Sequence, residues 1–215
     1  MKIFFSELTK LNPTVISTVL KMNEEIGELN REVLKFIPYK DCNKKFIATS
    51  PEATFALEEL IGELLDVGQT TATMMFVMDK LHGIGEYAIE RHLKKLHNKG
   101  YTFDETKDYS LKNEAGELQL VLPELLINTN LMQTCLKIGE DAGELSQLVG
   151  KFSAMSGEEQ HRIDENQLNI AIVQELLDVA QCCVTMLYIL VDKYGIDVDA
   201  ILTKHRNKLH EHGYC

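Results

Sequence analysis

Residues 63–67 read ELLDV, and residues 175–179 read the same five letters. Upstream of each copy lies a second acidic pattern, EEIGEL at 24–29 and EDAGEL at 140–145. In every one of these patterns two acidic residues stand three positions apart, a spacing that puts both on one face of a helix. The two patterns follow each other in the same order in both halves. The sequence therefore indicates an internal duplication of a helical unit.

The rest of the chain favours an all-α fold. Only four prolines and 13 glycines occur among 215 residues, which leaves room for long uninterrupted helices. The closing motifs of the two halves also match, LHNKGY at 96–101 and LHEHGY at 209–214. Start and stop signals predict helices over residues 12–37, 51–81, 86–99, 123–152, 165–194 and 199–212.

The domain organisation follows from this repeat. We expect a first helical repeat at 1–101, a linker at 102–122 and a second repeat at 123–215, because the linker is polar and lacks helical periodicity. Loops are predicted at 38–49 and 153–164. Each unit alone would expose a large apolar face, so the two are expected to pack as a pseudo-symmetric helix bundle.

Composition limits the partners and the compartment. The formal net charge of −11 argues against binding nucleic acid or an anionic membrane surface. No apolar stretch approaches the ~20 residues that span a bilayer. The five cysteines show no C-x-x-C spacing, which favours reduced thiols in the cytoplasm. A small phosphorylated ligand is compatible with the charge, because a bound metal ion reverses the local sign.

The acidic pairs at 63–66 and 175–178 lie in apolar stretches, where a buried carboxylate without a partner is costly. Few basic residues are near them in the sequence, so a cation held between helices is the predicted partner. Oxygen ligands without matched histidine or cysteine favour Mg²⁺, or Mn²⁺, over zinc. Since Mg²⁺ usually shares its coordination shell with water and substrate phosphates, the pattern indicates phosphate chemistry.

These E-x-x-E and E-x-x-D motifs resemble those of the all-α nucleoside triphosphate pyrophosphohydrolases, the MazG-like superfamily, which also includes dimeric dUTPases and phosphoribosyl-ATP pyrophosphohydrolase. The resemblance covers about 13–101 and 123–214. It implies Mg²⁺-dependent cleavage of a nucleoside triphosphate between the α and β phosphates, giving the monophosphate and pyrophosphate. It also implies a set of metal-binding carboxylates: Glu25, Glu28, Glu63, Asp66, Asp141, Glu144, Glu175 and Asp178.

The resemblance implies further roles. Asp141 stands where the family has Glu, so this ligand is one methylene shorter. Glu24 and Glu140 precede the first pair of each half and are candidates either to orient the attacking water or to support the ligands from outside. The last helix of the family presents Lys and Asn to the substrate, and a solvated basic helix end explains such residues equally well. The nearest equivalents here are Lys94, Lys95, Asn98, Lys204, Asn207 and Lys208.

Two alternatives stay open at this point. A non-catalytic helical scaffold or regulator could retain the acidic motif without turnover. A ferritin-like carboxylate protein would need E-x-x-H on two helices, and the one instance here, residues 158–161, falls in a predicted loop. For the enzyme, the expected partner is a small nucleoside triphosphate, and the tandem-repeat chain is a candidate homodimer.

Overall fold

The computed structural model describes residues 1–84, 87–152 and 164–215, and its mostly helical architecture confirms the expected class. Most of the predicted loop at 153–164, including the E-x-x-H motif, lies outside the described residues. A short 3-10 turn follows the first helix at Ile37–Tyr39. The helices are α1 (Val15–Phe36), α2 (Lys44–Thr49), α3 (Pro51–His82), α4 (Tyr87–Asn98), α5 (Leu131–Phe152), α6 (Glu165–Tyr194) and α7 (Val198–Glu211). The strands are β1 (Lys2–Ser6), β2 (Ser110–Glu114) and β3 (Glu117–Val121).

Local capping explains where the helices begin. Thr14 caps α1 through a capping box with Ser17, so α1 begins slightly later than predicted. Ser50 caps α3 and Pro51 occupies its first turn, as the sequence predicts. The predicted start of the fourth long helix at 123 is wrong. Asn130 accepts hydrogen bonds from the backbone N–H groups of residues 132 and 133, and α5 begins only there.

A three-stranded antiparallel sheet is the element that the sequence analysis missed. Strand order is β1-β3-β2, so the predicted linker contains a hairpin whose second strand pairs with the N-terminus of the chain. Phe5 of β1 lies against α3 at Gly68, where an added Cβ would come within 2.7 Å of the Phe5 ring. The absence of a side chain at Gly68 therefore allows the sheet to pack directly on the bundle.

Four long helices form the bundle. α1 packs on α3 and α5, and α6 packs on α3 and α5, which closes a ring of four. Buried apolar side chains of both halves belong to one continuous core, with Leu29, Leu60, Leu145 and Leu176 wholly inaccessible. The acidic pairs are carried by these four helices, so their positions are fixed by the best-packed part of the molecule.

The two shorter helices cross between the halves of the sequence. α4 follows α3 along the chain but packs on α6, whereas α7 follows α6 and packs on α3. β1 contacts both α3 and α7, and β2 contacts α4. The acidic pair on α6 is consequently approached by α4, and the pair on α3 by α7. No local sequence pattern predicts this exchange.

Candidate functional site

The first acidic site comprises Glu25, Glu28, Glu63 and Asp66, between α1 and α3. One carboxylate oxygen from each of Glu25, Glu28 and Glu63 lies within 4.8 Å of the other two. Asp66 follows Glu63 by one helical turn on the same face. The structure thus brings together three of the predicted metal ligands and keeps the fourth adjacent.

This site concentrates negative charge in a partly buried place. Burial, reinforced by Asp66, Glu28 and Glu25, raises the pKa of Glu63 to about 7. Burial also raises the pKa of Glu25, although the ammonium of Lys21 opposes the effect at 2.7 Å. Oε2 of Glu63 is buried and has no hydrogen-bond partner among the described residues. Several buried carboxylates this close together repel one another, and a bound cation would stabilise their charged form.

Few basic residues lie near these acids in the sequence, but the fold brings basic side chains to them from elsewhere in the chain. Lys21 lies one turn before Glu25 on α1, and Lys208 of α7 places Nζ 2.6 Å from Oδ2 of Asp66. Nδ1 of the buried His205 lies 3.7 Å from the other oxygen of Asp66. Burial would lower the pKa of Lys208, but its hydrogen bond to Asp66 raises it. Each of the two lysines contacts one carboxylate of the site, and neither bridges the three oxygens of Glu25, Glu28 and Glu63.

The second acidic site comprises Asp141, Glu144, Glu175 and Asp178, between α5 and α6. Nζ of Lys95, from α4, lies 2.7 Å from Oδ2 of Asp178 and 3.2 Å from Oε1 of Glu175. Burial would raise the pKa of Asp178, but hydrogen bonds from His92 and Lys95 hold it well below its usual range. This site is therefore a network of ion pairs.

Its remaining members are also paired or exposed. Lys99 Nζ lies 3.3 Å from Oδ2 of Asp178, and Lys137 Nζ lies 2.7 Å from Oδ1 of Asp141. Glu144 is exposed on α5. Within residues 1–84, 87–152 and 164–215, only the first acidic site gathers three carboxylates closely enough to hold a metal ion.

Two clefts open beside these sites. The first cleft has a volume of about 420 Å³ and reaches Glu25 and Asp66. The second cleft, of about 110 Å³, reaches Asp141 and Asp178 and carries two lysines. Polar groups suited to a nucleoside line the first cleft together with apolar side chains from the N-terminal segment and α7. These polar residues are Asn12, Thr18, Gln69, Thr70 and Thr73.

A third depression runs between α3 and α7. It has a volume of about 790 Å³ and is lined by Gly62, Lys204, Asn207 and Lys208, among others. Lys204 is exposed and pairs with Glu58 at 2.9 Å. Of the predicted lysines and asparagine of the last helix, Lys208 contacts the first acidic site at Asp66, and Lys204 and Asn207 line the same depression as Lys208.

The other predicted site residues lie on the surface of the protein or in the second acidic site. Glu24 and Glu140 are exposed, and each pairs with the lysine that also holds the following carboxylate, at 3.0 and 3.2 Å respectively. Lys94 and Asn98 are exposed on α4. Lys95 lies in the second acidic site and not near the first, because α4 crosses to α6.

Sequence reasoning missed four groups whose signals were present. Lys21 and Lys137 each stand four residues before the first carboxylate of a pair, the spacing of a helical ion pair. His92 and His205 each stand three residues before a lysine that binds the Asp of ELLDV. The repeated H-x-x-K spacing on α4 and α7 would have identified both histidines as site residues.

The donor set of the first acidic site fits a hard divalent cation. It offers carboxylate oxygens alone, including the unpartnered Oε2 of Glu63, and oxygen ligands are those that Mg²⁺ and Mn²⁺ prefer. The second acidic site does not fit, because Lys95 bridges Glu175 and Asp178 and no three of its described carboxylates lie close enough together to share an ion. The two sites therefore differ in chemistry although their motifs match.

Comparisons with known proteins identify no relative. No family model matches the chain, and no curated protein or solved structure gives a match. Among the described residues one helix, α6, is long and apolar enough to cross a membrane, but 72% of its apolar window is buried inside the protein, as in the core helix of a globular fold.

Proposed function

We propose that this protein is a Mg²⁺-dependent nucleoside triphosphate pyrophosphohydrolase of the MazG-like type. The observation that carries the proposal is the convergence of Glu25, Glu28 and Glu63 beside a cleft large enough for a nucleoside. The products would be the nucleoside monophosphate and pyrophosphate. The resemblance of the acidic motifs to those of the MazG-like superfamily supports cleavage of the bond between the α and β phosphates.

The metal would be held by Glu25, Glu28, Glu63 and Asp66. When bound, Mg²⁺ or Mn²⁺ lowers the pKa of a coordinated water and neutralises charge that develops on phosphate oxygens. The chain's own contribution is to fix four carboxylates on two packed helices, which limits their movement when the substrate arrives. Glu24, exposed and one residue before Glu25, is the proposed residue for orienting the attacking water, and Glu140 is its counterpart.

The substrate would extend across the first acidic site. The nucleoside would enter the first cleft, where Gln69 and Thr73 offer polar groups on an apolar wall. The phosphates would then pass the carboxylates toward α7, where Lys208, Lys204 and Asn207 supply one amide and two positive charges. Lys208 already touches Asp66, so it can shift to a phosphate oxygen when metal takes its place.

We also propose that the two halves are tandem repeats related by pseudo-symmetry. Paired contacts support this relation. Nε2 of Gln69 donates to the carbonyl of Ser6 and lies 3.5 Å from Oγ1 of Thr73. Nε2 of Gln181 donates to the carbonyl of Pro123 and lies 3.3 Å from Oγ1 of Thr185. Both glutamines follow the ELLDV motif by the same spacing.

The cellular setting proposed is the cytoplasm. All five cysteines are free thiols, which suits a reducing compartment. The acidic surface disfavours nucleic acid and anionic membranes as partners. The chain would act on a free nucleotide, as a monomer or as a homodimer.

A nucleotide panel tests the proposal. The purified protein is incubated with each common ribo- and deoxyribonucleoside triphosphate and Mg²⁺, and products are separated by ion exchange. Monophosphate and pyrophosphate are expected, and Glu63→Gln should abolish their release. Glu59→Gln, an exposed change one turn earlier on α3, is the matched control. Diphosphate and phosphate as products, or no turnover of any triphosphate, would contradict the proposal, and no turnover would favour the scaffold alternative.

A further inference from the structure

We infer that the second acidic site binds no divalent metal, because lysine side chains lie where the ion would bind. The ion pairs between these lysines and the carboxylates of α6 hold α4 against α6, and we call this set of contacts the clamp. This inference concerns residues that the shared motif would assign to a second metal centre. It rests on the proposed function only in naming the first acidic site as the metal site.

The position of Lys95 is the first observation. Its Nζ contacts Oε1 of Glu175 and Oδ2 of Asp178, the two acids of the E-x-x-D motif, at 3.2 and 2.7 Å. A metal shared by this pair would have to bind where that ammonium lies. In the first acidic site the matching lysine, Lys208, contacts Asp66 but, among the described residues, does not bridge it to Glu63.

The second observation is that both oxygens of Asp178, and both oxygens of Asp141, already have neighbouring polar side chains. Asp178 is 5% exposed, and Lys99 joins Lys95 on its Oδ2 while His92 contacts Oδ1 at 3.3 Å. Both oxygens of this carboxylate are thus engaged. The residue that corresponds to Lys99 is His212, directly after α7, so the first acidic site has one lysine fewer.

The same holds on α5. Lys137 contacts Oδ1 of Asp141 at 2.7 Å, as Lys21 contacts Glu25, but at Asp141 the thiol of Cys182 also lies 3.2 Å from Oδ2. Asp141 is also one methylene shorter than Glu25, so it reaches less far toward α6. Oε2 of Glu175 has no partner among the described residues, but one free oxygen cannot replace a set of three or more.

The clamp follows from the part of the chain that supplies these side chains. His92 and Lys95 are on α4 and Lys99 directly follows it, so all three come from the other half of the sequence, and together they hold Asp178 of α6. A buried carboxylate that loses its cations is strongly destabilising. The second acidic site therefore fixes α4 across the bundle without a metal.

Metal titration tests the absence of an ion. Binding of Mn²⁺ is followed by electron paramagnetic resonance for the full-length protein, Glu63→Gln and Glu175→Gln. We expect Glu63→Gln to weaken specific binding roughly tenfold or more, and Glu175→Gln to change neither affinity nor stoichiometry by as much as twofold. A lower Mn²⁺ stoichiometry in Glu175→Gln would overturn the inference.

Thermal unfolding tests the clamp independently of metal. Lys95→Met should lower the Tm by roughly 5 °C or more, since it leaves Asp178 and Glu175 underpaired, whereas Lys94→Met, an exposed change beside it, should not. Equal Tm values for the two variants would overturn the clamp. If the wild-type protein binds no Mn²⁺ but Lys95→Met is selectively destabilised, the metal centre of the proposed function fails and the clamp stands.

Discussion

The two acidic sites carry nearly the same carboxylates, on helices with matching sequence motifs, yet their environments differ. In the first acidic site three carboxylates converge, and among the described residues no lysine bridges Glu63 and Asp66. In the second, Lys95 bridges Glu175 and Asp178. An acidic motif on two helices therefore does not by itself define a metal site. The helix that packs across the motif, α4 or α7, determines whether the carboxylates remain available to an ion or are neutralised by lysines.

The largest expected difference between the sites is catalytic. Glu63→Gln removes a carboxylate from the proposed metal cluster and should lower the rate of pyrophosphate release roughly 100-fold or more. Glu175→Gln, the matched change in the second acidic site, should cost less than about tenfold. Initial rates measured with saturating Mg²⁺ check this contrast. Comparable losses in both variants would mean that the two halves share the chemistry.

The next difference is in stability. Asp178→Ala leaves Lys95 and the fully buried His92 without their carboxylate and should lower the free energy of unfolding by about 3 kcal/mol. Asp66→Ala, at a more exposed ion pair, should cost only about 1 kcal/mol. Urea denaturation of both variants without metal gives the two values. A larger loss for Asp66→Ala than for Asp178→Ala would contradict the view that the second acidic site, and not the first, stabilises the fold through its ion pairs.

A pH dependence should mark the first acidic site. Because the pKa of Glu63 is about 7 in the folded protein, a proton competes with the metal, and Mg²⁺ affinity should fall as the pH drops through 7. The same shift makes the folded protein without metal lose stability as the pH rises from about 4.5 to 7, since ionisation is less favourable in the fold than in the unfolded chain.

Calorimetric titration with Mg²⁺ between pH 6 and 8, and thermal melts without metal, measure both effects. Glu63→Gln should remove the stability slope, while Glu59→Gln should keep it. Affinity that is independent of pH in this range would argue against Glu63 as a ligand.

The smallest expected effect comes from making the two sites more alike. Lys99→His places directly after α4 the residue type found at the matching position after α7, His212. Lys99 is half-exposed and lies 3.3 Å from Asp178, so the free energy of unfolding should fall by only about 0.5 kcal/mol. Lys94→His is the control, and urea denaturation the measurement. A loss as large as that of Asp178→Ala would show that Lys99, and not Lys95, is the main cation of the clamp.

Much of the helical frame could be predicted from the sequence. Start signals such as Ser50-Pro51 and the apolar run around ELLDV locate α3 and α6 closely, because capping and hydrophobic burial act locally. The sheet could not be predicted in the same way. β1 is only five residues long, and its pairing with β3 joins positions that are far apart along the chain.

In the candidate site, too, one part could be predicted from the sequence and another could not. The convergence of Glu25, Glu28 and Glu63 was predictable from helical spacing and the order of the motifs. The cations were only partly predictable. Lys137 is visible as a helical neighbour of Asp141, but the contact of Lys95 with Asp178 depends on how α4 crosses the bundle, which no local pattern determines.

The most direct test is a crystal structure grown with Mn²⁺ and a non-hydrolysable nucleoside triphosphate, with anomalous diffraction to locate the metal. We predict anomalous peaks among Glu25, Glu28, Glu63 and Asp66, with the phosphates directed toward Lys208, and Lys95 still bound to Asp178. Peaks between Asp141 and Asp178, or a nucleotide bound away from the first acidic site, would contradict this account.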